Sequence, residues 1–277
     1  MAALGDITRI RTNISALNAL NALKGINNRL NTSNLRLATG KRINSAADDP
    51  SGFSLAGTLR LRARRLGVAI DNLSDATNVL NTAESGLSGI NDILGQMAEK
   101  ATLAASDTQG SSERSAILTE LNQLAQEIDA ISQTTQFNGN VLLTAATMTF
   151  QVGPTGVDTA RFTLASSFTS SSLGINTMTV ATQTLASATL GSINAAITSV
   201  QTALQSIGAL IERFQVKSDN LLQAQVNASA AASRIEDADL ATEQLNKSNL
   251  SILLQTATAQ LAGANSSPIS LLQLFKA

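Results

Sequence analysis

The sequence predicts a mainly α protein: a long antiparallel coiled-coil helical rod with one small β-hairpin and with its N- and C-terminal helices paired. Three observations predict it. Leucines recur every seven residues at Leu59, Leu66, Leu73, Leu80, Leu87 and Leu94, the spacing that keeps one stripe of a helix turned toward a partner. A second series, Leu190, Ile193, Ile197, Val200, Leu204, Ile207, Ile211 and Phe214, steps by three and four without a break. Seven Phe and no Trp or Tyr occur in 277 residues, so the core is built from aliphatic and small side chains, which suits helices packed side by side.

The first helix is carried by Ile7, Ile10, Ile14, Leu17, Leu20, Leu23, Ile26 and Leu30, again in helical steps. Thr39-Gly40 stops it. Lys41 to Gly52 (KRINSAADDPSG) gathers Asn, Ser, Asp-Asp-Pro and Gly and reads as an ordered connector. The leucine heptads follow, with Ala63, Ile70, Thr77, Ala83, Ile90 and Met97 as companions. A helix from Ser54 to Ala104 would be about 75 Å long, too long for a globule. A polar turn, Ser106 to Ser112, leads to a third helix through Ile117, Leu121, Leu124, Ile128 and Ile131, with Ser111 or Ser112 as cap. It should fold back on the second and end near Phe137-Asn138-Gly139.

The period then changes to two. Met148, Phe150 and Val152 alternate with polar residues, Gly153 to Gly156 make a turn, and Phe162 and Leu164 alternate after it, so residues 147–165 read as a hairpin. A Ser/Thr run, Ser166 to Ser172, has no apolar stripe and is expected at the surface. The second long series resumes at Leu190. A charged knot, Arg234 to Asp239 (RIEDAD), precedes a last amphipathic helix with Leu245, Leu250, Leu253, Leu254, Ala257 and Leu261, and then an apolar tail, Ile269 to Phe275.

Composition removes most chemistry. There is no Cys and no His, hence no disulfide framework, thiol nucleophile or imidazole base or ligand. Phosphate-binding Gly loops and nucleophile elbows are absent. No catalytic, metal or cofactor residue is expected, and the chain is not expected to be an enzyme. The N-terminus does not read as a secretory signal peptide, and no stretch has 18 or more consecutive apolar residues, so no membrane insertion is expected. Arg60 to Arg65 (RLRARR) precedes the heptads as a basic region precedes a zipper. Four Arg at a net charge of −1 are thin for phosphate neutralisation, and a solvated or inter-subunit face is the better reading; no nucleic-acid partner is expected. Asp48-Asp49 and Glu236-Asp237-Asp239 could mark an ion site, but caps and ion pairs suit their spacing better.

Charge is sparse where it matters. From Ala130 to Ile211 only Asp158 and Arg161 are charged, although a free-standing surface normally carries more. Both terminal stripes, residues 7–30 and 245–275, are amphipathic and exceed what one pair of helices can hide, which calls for self-association.

Five ordered blocks resemble bacterial flagellin. They are Ile10 to Ala19 (IRTNISALNA), Leu37 to Gly52 (LATGKRINSAADDPSG), Thr134 to Leu142 (TTQFNGNVL) with Phe150-Gln151-Val152-Gly153, Ser233 to Glu243 (SRIEDADLATE), and Leu261 to Leu274 with Ala264-Asn265. The resemblance spans residues 7–165 and 190–277. It implies a structural subunit that self-assembles into the bacterial flagellar filament for swimming motility; a hook–filament junction protein is the alternative within the same class. On this resemblance residues 1–35 and 241–277 are inner-core helices that drive polymerisation. Residues 36–55 and 228–240 are the connector, and 56–227 the helical rod. No substantial outer variable domain is left, since about 25 residues separate the hairpin from the helix that follows.

The resemblance also implies partners and sites. The assembly residues are Ile10, Ile14, Leu17, Leu253, Leu261, Leu271, Leu272, Leu274 and Phe275. The core heptads are Leu66, Leu73, Leu80, Leu87, Leu94, Ile197, Leu204 and Ile211. The subunit's first partner is itself, followed by a flagellar export chaperone, the filament cap and hook-junction proteins. It is exported outside the cell by the flagellar type III apparatus without a cleaved signal peptide. Family members sensed by Toll-like receptor 5 carry an Arg and, four residues later, a Leu; here those positions are Gln96 and Lys100, with Glu99 kept, so activation is expected to be weak or absent. Any glycans are expected on Ser166, Ser167, Thr169, Ser170, Ser171 and Ser172.

Overall fold

The computed structural model describes residues 12–164 and 167–274, the last eight by backbone alone. Its described elements are α1 (Ile14–Thr39), α2 (Pro50–Ala104), α3 (Ser111–Thr134), β1 (Gln136–Phe137), β2 (Asn140–Val141), β3 (Thr147–Gln151), β4 (Thr159–Thr163), α4 (Gln183–Glu236) and α5 (Leu240–Leu274). They form two units, one of residues 1–61 with 228–277 and one of 62–227. Among the described residues no helix is long and apolar enough to cross a membrane.

The unit of residues 62–227 has the hydrophobic core. Along α2 two rows are buried. One is Leu66, Leu73, Leu80, Leu87, Leu94 and Ala101; the other is Ala69, Ala76, Ala83, Ile90, Met97 and Ala104. Each repeats every seven residues, so both face one direction on a heptad helix. The companions expected at Ile70 and Thr77 are only half-buried. Alanine, one residue earlier in each heptad, holds the inner position, because geometry selects it there over a larger apolar neighbour. On α4, Ala186, Ile193, Val200, Ile207, Phe214 and Leu221 are buried, again seven apart. Leu190, Ile197, Leu204 and Ile211 pack against that core from a half-buried flanking row. α4 starts at Gln183, ahead of the stripe that announced it.

α3 runs antiparallel to α2. Lys100 reaches Glu120 at 2.7 Å near one end. At the other, a Cβ on Gly86 would stand 2.6 Å from Thr135 Oγ1 and 2.9 Å from Leu143 Cδ1, so glycine lets the helices close there. The capping residue of α3 is Gly110, with no side-chain cap, instead of Ser111 or Ser112. Arg114 does the turn's work: Nε donates to Ala104 O and Nη2 to Ser106 O, both at 2.9 Å, satisfying carbonyls at the end of α2.

β3 and β4 pair antiparallel from Thr147↔Thr163 to Gln151↔Thr159. Phe162, Val152 and Leu164 turn into the core, Phe150 meets Phe214 edge to face at 6.5 Å, and Asn72 Nδ2 on α2 donates to Gln151 O at 2.9 Å. A second, minimal ladder, β1–β2, forms where the helix was expected simply to end. Asn138 and Gly139 both have positive φ, 49° and 81°, the two-residue turn that such dipeptides favour. The Ser/Thr run is also held: Phe168 is buried, and Ser170 donates from N and Oγ to Asp129, both at 2.7 Å.

In the other unit, α1 and α5 pair antiparallel, and a short connector joins their inner ends to α2 and α4. α1 closes on Gly40, left-handed at φ 70°. Arg42 N and Ile43 N both donate to Glu236 O, and Ala238 N to Gly40 O. The Glu236 side chain is buried, with Lys41 Nζ at 2.9 Å and Arg60 Nε at 3.3 Å. The acidic clusters act as caps. Asp48 accepts from the backbone of Asn44 and Ser45, and Asp49 accepts from Gly52 N ahead of Pro50, where α2 begins earlier than expected. Asp239 accepts from Ala241 N and Thr242 N at the start of α5.

Two outcomes follow from these arrangements. Leu80 is fully buried; Leu80→Ala should cost about 2–5 kcal/mol, and Leu80→Asp should unfold the unit, while Asn78→Asp on the exposed side stays within about 0.5 kcal/mol in urea denaturation. The Thr242 and Ala241 donors hold the Asp239 carboxyl below the ordinary aspartate value. A lowered folded pKa gives a contribution present above the unfolded value and lost as pH falls through the folded one. The Thr242 amide NMR shift should therefore titrate below the usual aspartate range. In Asp239→Asn, which still caps, that titration should vanish.

Candidate assembly surface

The pairing of α1 with α5 is set by one seam. On α1 the half-buried positions Ala16, Leu23, Leu30 and Leu37 repeat every seven residues, interleaved with Ala19, Ile26 and the buried Ser33. On α5 the corresponding rows are Glu243, Leu250, Ala257 and Ala264, with Lys247, Leu254 and Leu261. Polar bonds fix the register. Asn13 accepts from Ala16 N as the α1 cap and donates from Nδ2 to Ala264 O at 2.7 Å. At the opposite end Ser33 Oγ donates to Glu243 O, and Arg36 lies 3.9 Å from the Glu243 carboxylate.

This seam is incomplete as a core. No apolar side chain of α1, and none of those described in α5, is fully buried. Leu245 and Ile252, one heptad apart on the side of α5 turned away from the seam, are 67% and 62% exposed. Leu253 and Leu17 are 50% and 52% exposed, and Leu35 and Leu240 are exposed to the same degree. The expected assembly residues thus divide. Ile14 and Leu261 sit half-buried at the pairing, whereas Leu17 and Leu253 stand out from it. Ile10 and Phe275 lie outside the described residues, as do the side chains of Leu271, Leu272 and Leu274. Leu35 and Ile252 were not singled out in the sequence; a heptad count anchored on Glu243 and Leu250 would have set Ile252 opposite the seam.

The remaining positions are placed as follows. Leu66, Leu73, Leu80, Leu87 and Leu94 are at most 2% exposed. Ile197, Leu204 and Ile211 flank the buried row of α4 instead of forming it. Gln96 is exposed, and Lys100, half-buried, is taken up by Glu120. Of the hydroxyl run, Ser171 and Ser172 are exposed, Ser167 and Thr169 half-buried, and Ser166 lies outside the described residues. Ser170 departs from the expected exposed run: it is buried and its hydroxyl is committed to Asp129. Among the described residues no group of carboxylates is placed to hold a metal ion; the clusters at Asp48 and Asp239 are spent on caps.

Comparison with known proteins agrees with this architecture. Residues 10–147 match the bacterial flagellin N-terminal helical region and residues 190–275 the bacterial flagellin C-terminal helical region. A flagellar filament 30.7 kDa core protein of Treponema maltophilum is 31% identical over 284 aligned residues, covering 96% of this chain and 99% of that one. A flagellin of Halalkalibacterium halodurans is 32% identical, with the same coverage of both. A Vibrio parahaemolyticus structure described as a flagellar hook-associated protein superposes with a TM-score of 0.57 at 14% identity, covering 69% of this chain and 100% of that one, a likeness of fold alone. With relatives that align end to end and share both helical regions, the chain belongs to the bacterial flagellin family.

Proposed function

We propose that this chain is the structural subunit of a bacterial flagellar filament, working outside the cell by polymerising with copies of itself and performing no catalysis. The observation that carries the reading is the uncovered apolar side of the α1–α5 pair, Leu17, Leu35, Leu245, Ile252 and Leu253. Each is 50–67% exposed, so burying the remainder yields roughly 1–2 kcal/mol per side chain, which contact with neighbouring chains supplies. Residues 1–35 with 241–277 then form the polymerising region, residues 36–55 with 228–240 the connector, and 56–227 the rod. Ile10, Leu271, Leu272, Leu274 and Phe275 belong to the same proposed assembly set by their apolar character alone. The full-length relatives named as filament protein and flagellin support this role over the hook–filament junction.

The finer assignments belong to the same proposal. Export runs through the flagellar type III apparatus with no cleaved signal, and the export chaperone, filament cap and hook-junction proteins are the other partners. The exposed Gln96, and Lys100 bound to Glu120, replace an Arg and a Leu of receptor-sensed relatives, so Toll-like receptor 5 is activated weakly or not at all. Any glycan sits on Ser171 or Ser172, with Ser167 and Thr169 as lesser acceptors and Ser166 retained from the sequence alone.

Electron microscopy of purified protein after seeding with sheared filaments tests the main reading, and monomers that never elongate would overturn it. Leu245→Asp with Leu253→Asp, both on exposed positions, should leave the helicity of the monomer unchanged by circular dichroism and abolish elongation. Normal filaments from that variant would remove this side of α5 from the assembly surface. Intact-mass measurement of native filaments, with Ser171→Ala and Ser172→Ala compared, decides whether hydroxyls in this run carry sugar.

A further inference from the structure

The turn between β1 and β2 holds the one Asn-Gly dipeptide of the chain, Asn138-Gly139. In such a pair the asparagine side chain is open to attack by its own main chain, because glycine has no Cβ to crowd the approach of its nitrogen to the side-chain amide carbon. Both residues are exposed. Even a Cβ built on Gly139 would meet nothing within 4 Å. Among the described residues no turn or cap bond between backbone groups uses Gly139 N. Other asparagines are less open. Asn44 is followed by serine, and its Nδ2 is held by Lys41 O at 2.9 Å. Asn265, also followed by serine, lies within α5.

The folded turn holds this chemistry back. Asn138 and Gly139 have φ of 49° and 81°. A two-residue turn of this kind has ψ of about +30° at its first central residue, which directs the following nitrogen away from Cβ. Closing a ring requires rotation about that bond. The pairings Phe137↔Asn140 and Gln136↔Val141 oppose the rotation. Behind them stands the bond from Leu142 N to Thr135 O at 3.0 Å. A ladder this short is marginal by itself, so it opens locally at far less cost than the helical core beside it.

We propose that Asn138 is a site of spontaneous covalent modification, gated by opening of the β1–β2 ladder. The Gly139 nitrogen bonds to Asn138 Cγ and gives up its proton; the Cγ–Nδ2 bond breaks, ammonia leaves, and a five-membered cyclic imide forms. Water then opens the imide. Opening at one carbonyl gives aspartate at position 138. Opening at the other leaves the main chain running through the former side-chain carbon, an isoaspartyl link. One water enters and one ammonia departs, with no oxidant or reductant. Either product puts a carboxylate into Ala130 to Val157, a stretch without a charged residue. The isoaspartyl link also adds a methylene to a two-residue loop, so the Phe137↔Asn140 register is lost. The disturbance reaches the core quickly: Leu142 and Leu143 follow, both fully buried, and Leu143 stands against Gly86 of α2. Because the reaction runs one way, the converted fraction records the age of the chain. The proposal does not rest on the filament reading.

Timed incubation of the folded full chain in warm, mildly alkaline buffer tests it, beside the same chain unfolded in urea. Peptide mapping with fragmentation that separates aspartate from isoaspartate follows each asparagine. In the folded chain Asn138 should convert ahead of every other asparagine, about tenfold more slowly than in urea. In the converted fraction the Leu142 amide should exchange its hydrogen about tenfold faster. Asn138→Gly makes a Gly-Gly turn that suits both positive φ values. It should fold as the wild type does, and its total isoaspartate, counted by enzymatic methylation, should fall to background. A folded chain in which Asn138 stays intact while the urea sample converts overturns the site, as does another asparagine converting first. Equal rates in the two samples overturn the gating. Should Asn138→Gly misfold, the wild-type map decides by the same outcomes.

Discussion

The double row of leucine and alanine on α2 is the constraint from which the rest of residues 62–227 follows. A leucine every seventh residue needs a partner helix along its whole length, and the chain supplies α4 and α3. The second row adjusts the spacing. It is alanine at 69, 76 and 83, where the hairpin is tied to α2 through Asn72 and Gln151. It becomes Ile90 and Met97 alongside α3. Gly86 marks the point where Thr135 and Leu143 press closest. Apart from Phe162, Phe168 and Phe214 this core is aliphatic or small, so fit along α2 depends on every heptad holding the same register. Methylene losses in such a core are felt directly.

The α1–α5 pair obeys the same heptad rule with a different result. Two helices share one seam, and a seam covers only the inward third of each helix. Ala16, Ser33, Lys247 and Ala264 make parts of it small or polar, while leucines and isoleucines stand on the other side. Glu236 compensates where the chain enters and leaves this pair. Its carbonyl takes two backbone donors and its carboxylate two cations, so polar bonds fix the connector together with the buried Ile43. Buried charge is tolerated there because it is paired.

What could be read from the sequence was whatever repeats. The leucines of α2, the stripe of α4, the two-residue alternation of β3 and β4, and the stop at Gly40 all carry a period or a turn residue that physics interprets alone. What escaped depends on contacts between distant residues or on competition between neighbours. Ile70 outranks Ala69 in hydropathy yet loses the inner position to it. Leu253 lies in an apolar run, Leu253-Leu254, of which only one residue can face the seam. Ser170 looks like surface until Asp129, 41 residues away, claims it, and Glu236 looks like part of a charge cluster until Lys41 meets it across 195 residues. Asn138-Gly139 is the exception: its turn signal is local, and the same dipeptide suits a helix end as well as a two-residue hairpin turn.

The near-uncharged tract from Ala130 to Ile211 gains a physical meaning from its hydroxyls. Over the first half of α4, exposed serines and threonines bond back to their own helix: Ser192 to Ala188 O, Thr198 to Asn194 O, Ser199 to Ala195 O, Thr202 to Thr198 O and Ser206 to Thr202 O. Each such hydroxyl has already spent its donor within the chain. Removing water from that face strands few donors, whereas removing it from a face of Lys and Glu would strand full charges. The face is wettable enough to stay in solution and cheap to dehydrate. From Gln183 to Ile211 there is no Asp, Glu, Lys or Arg, so this half of α4 presents a neutral flank whose hydroxyl donors are already satisfied.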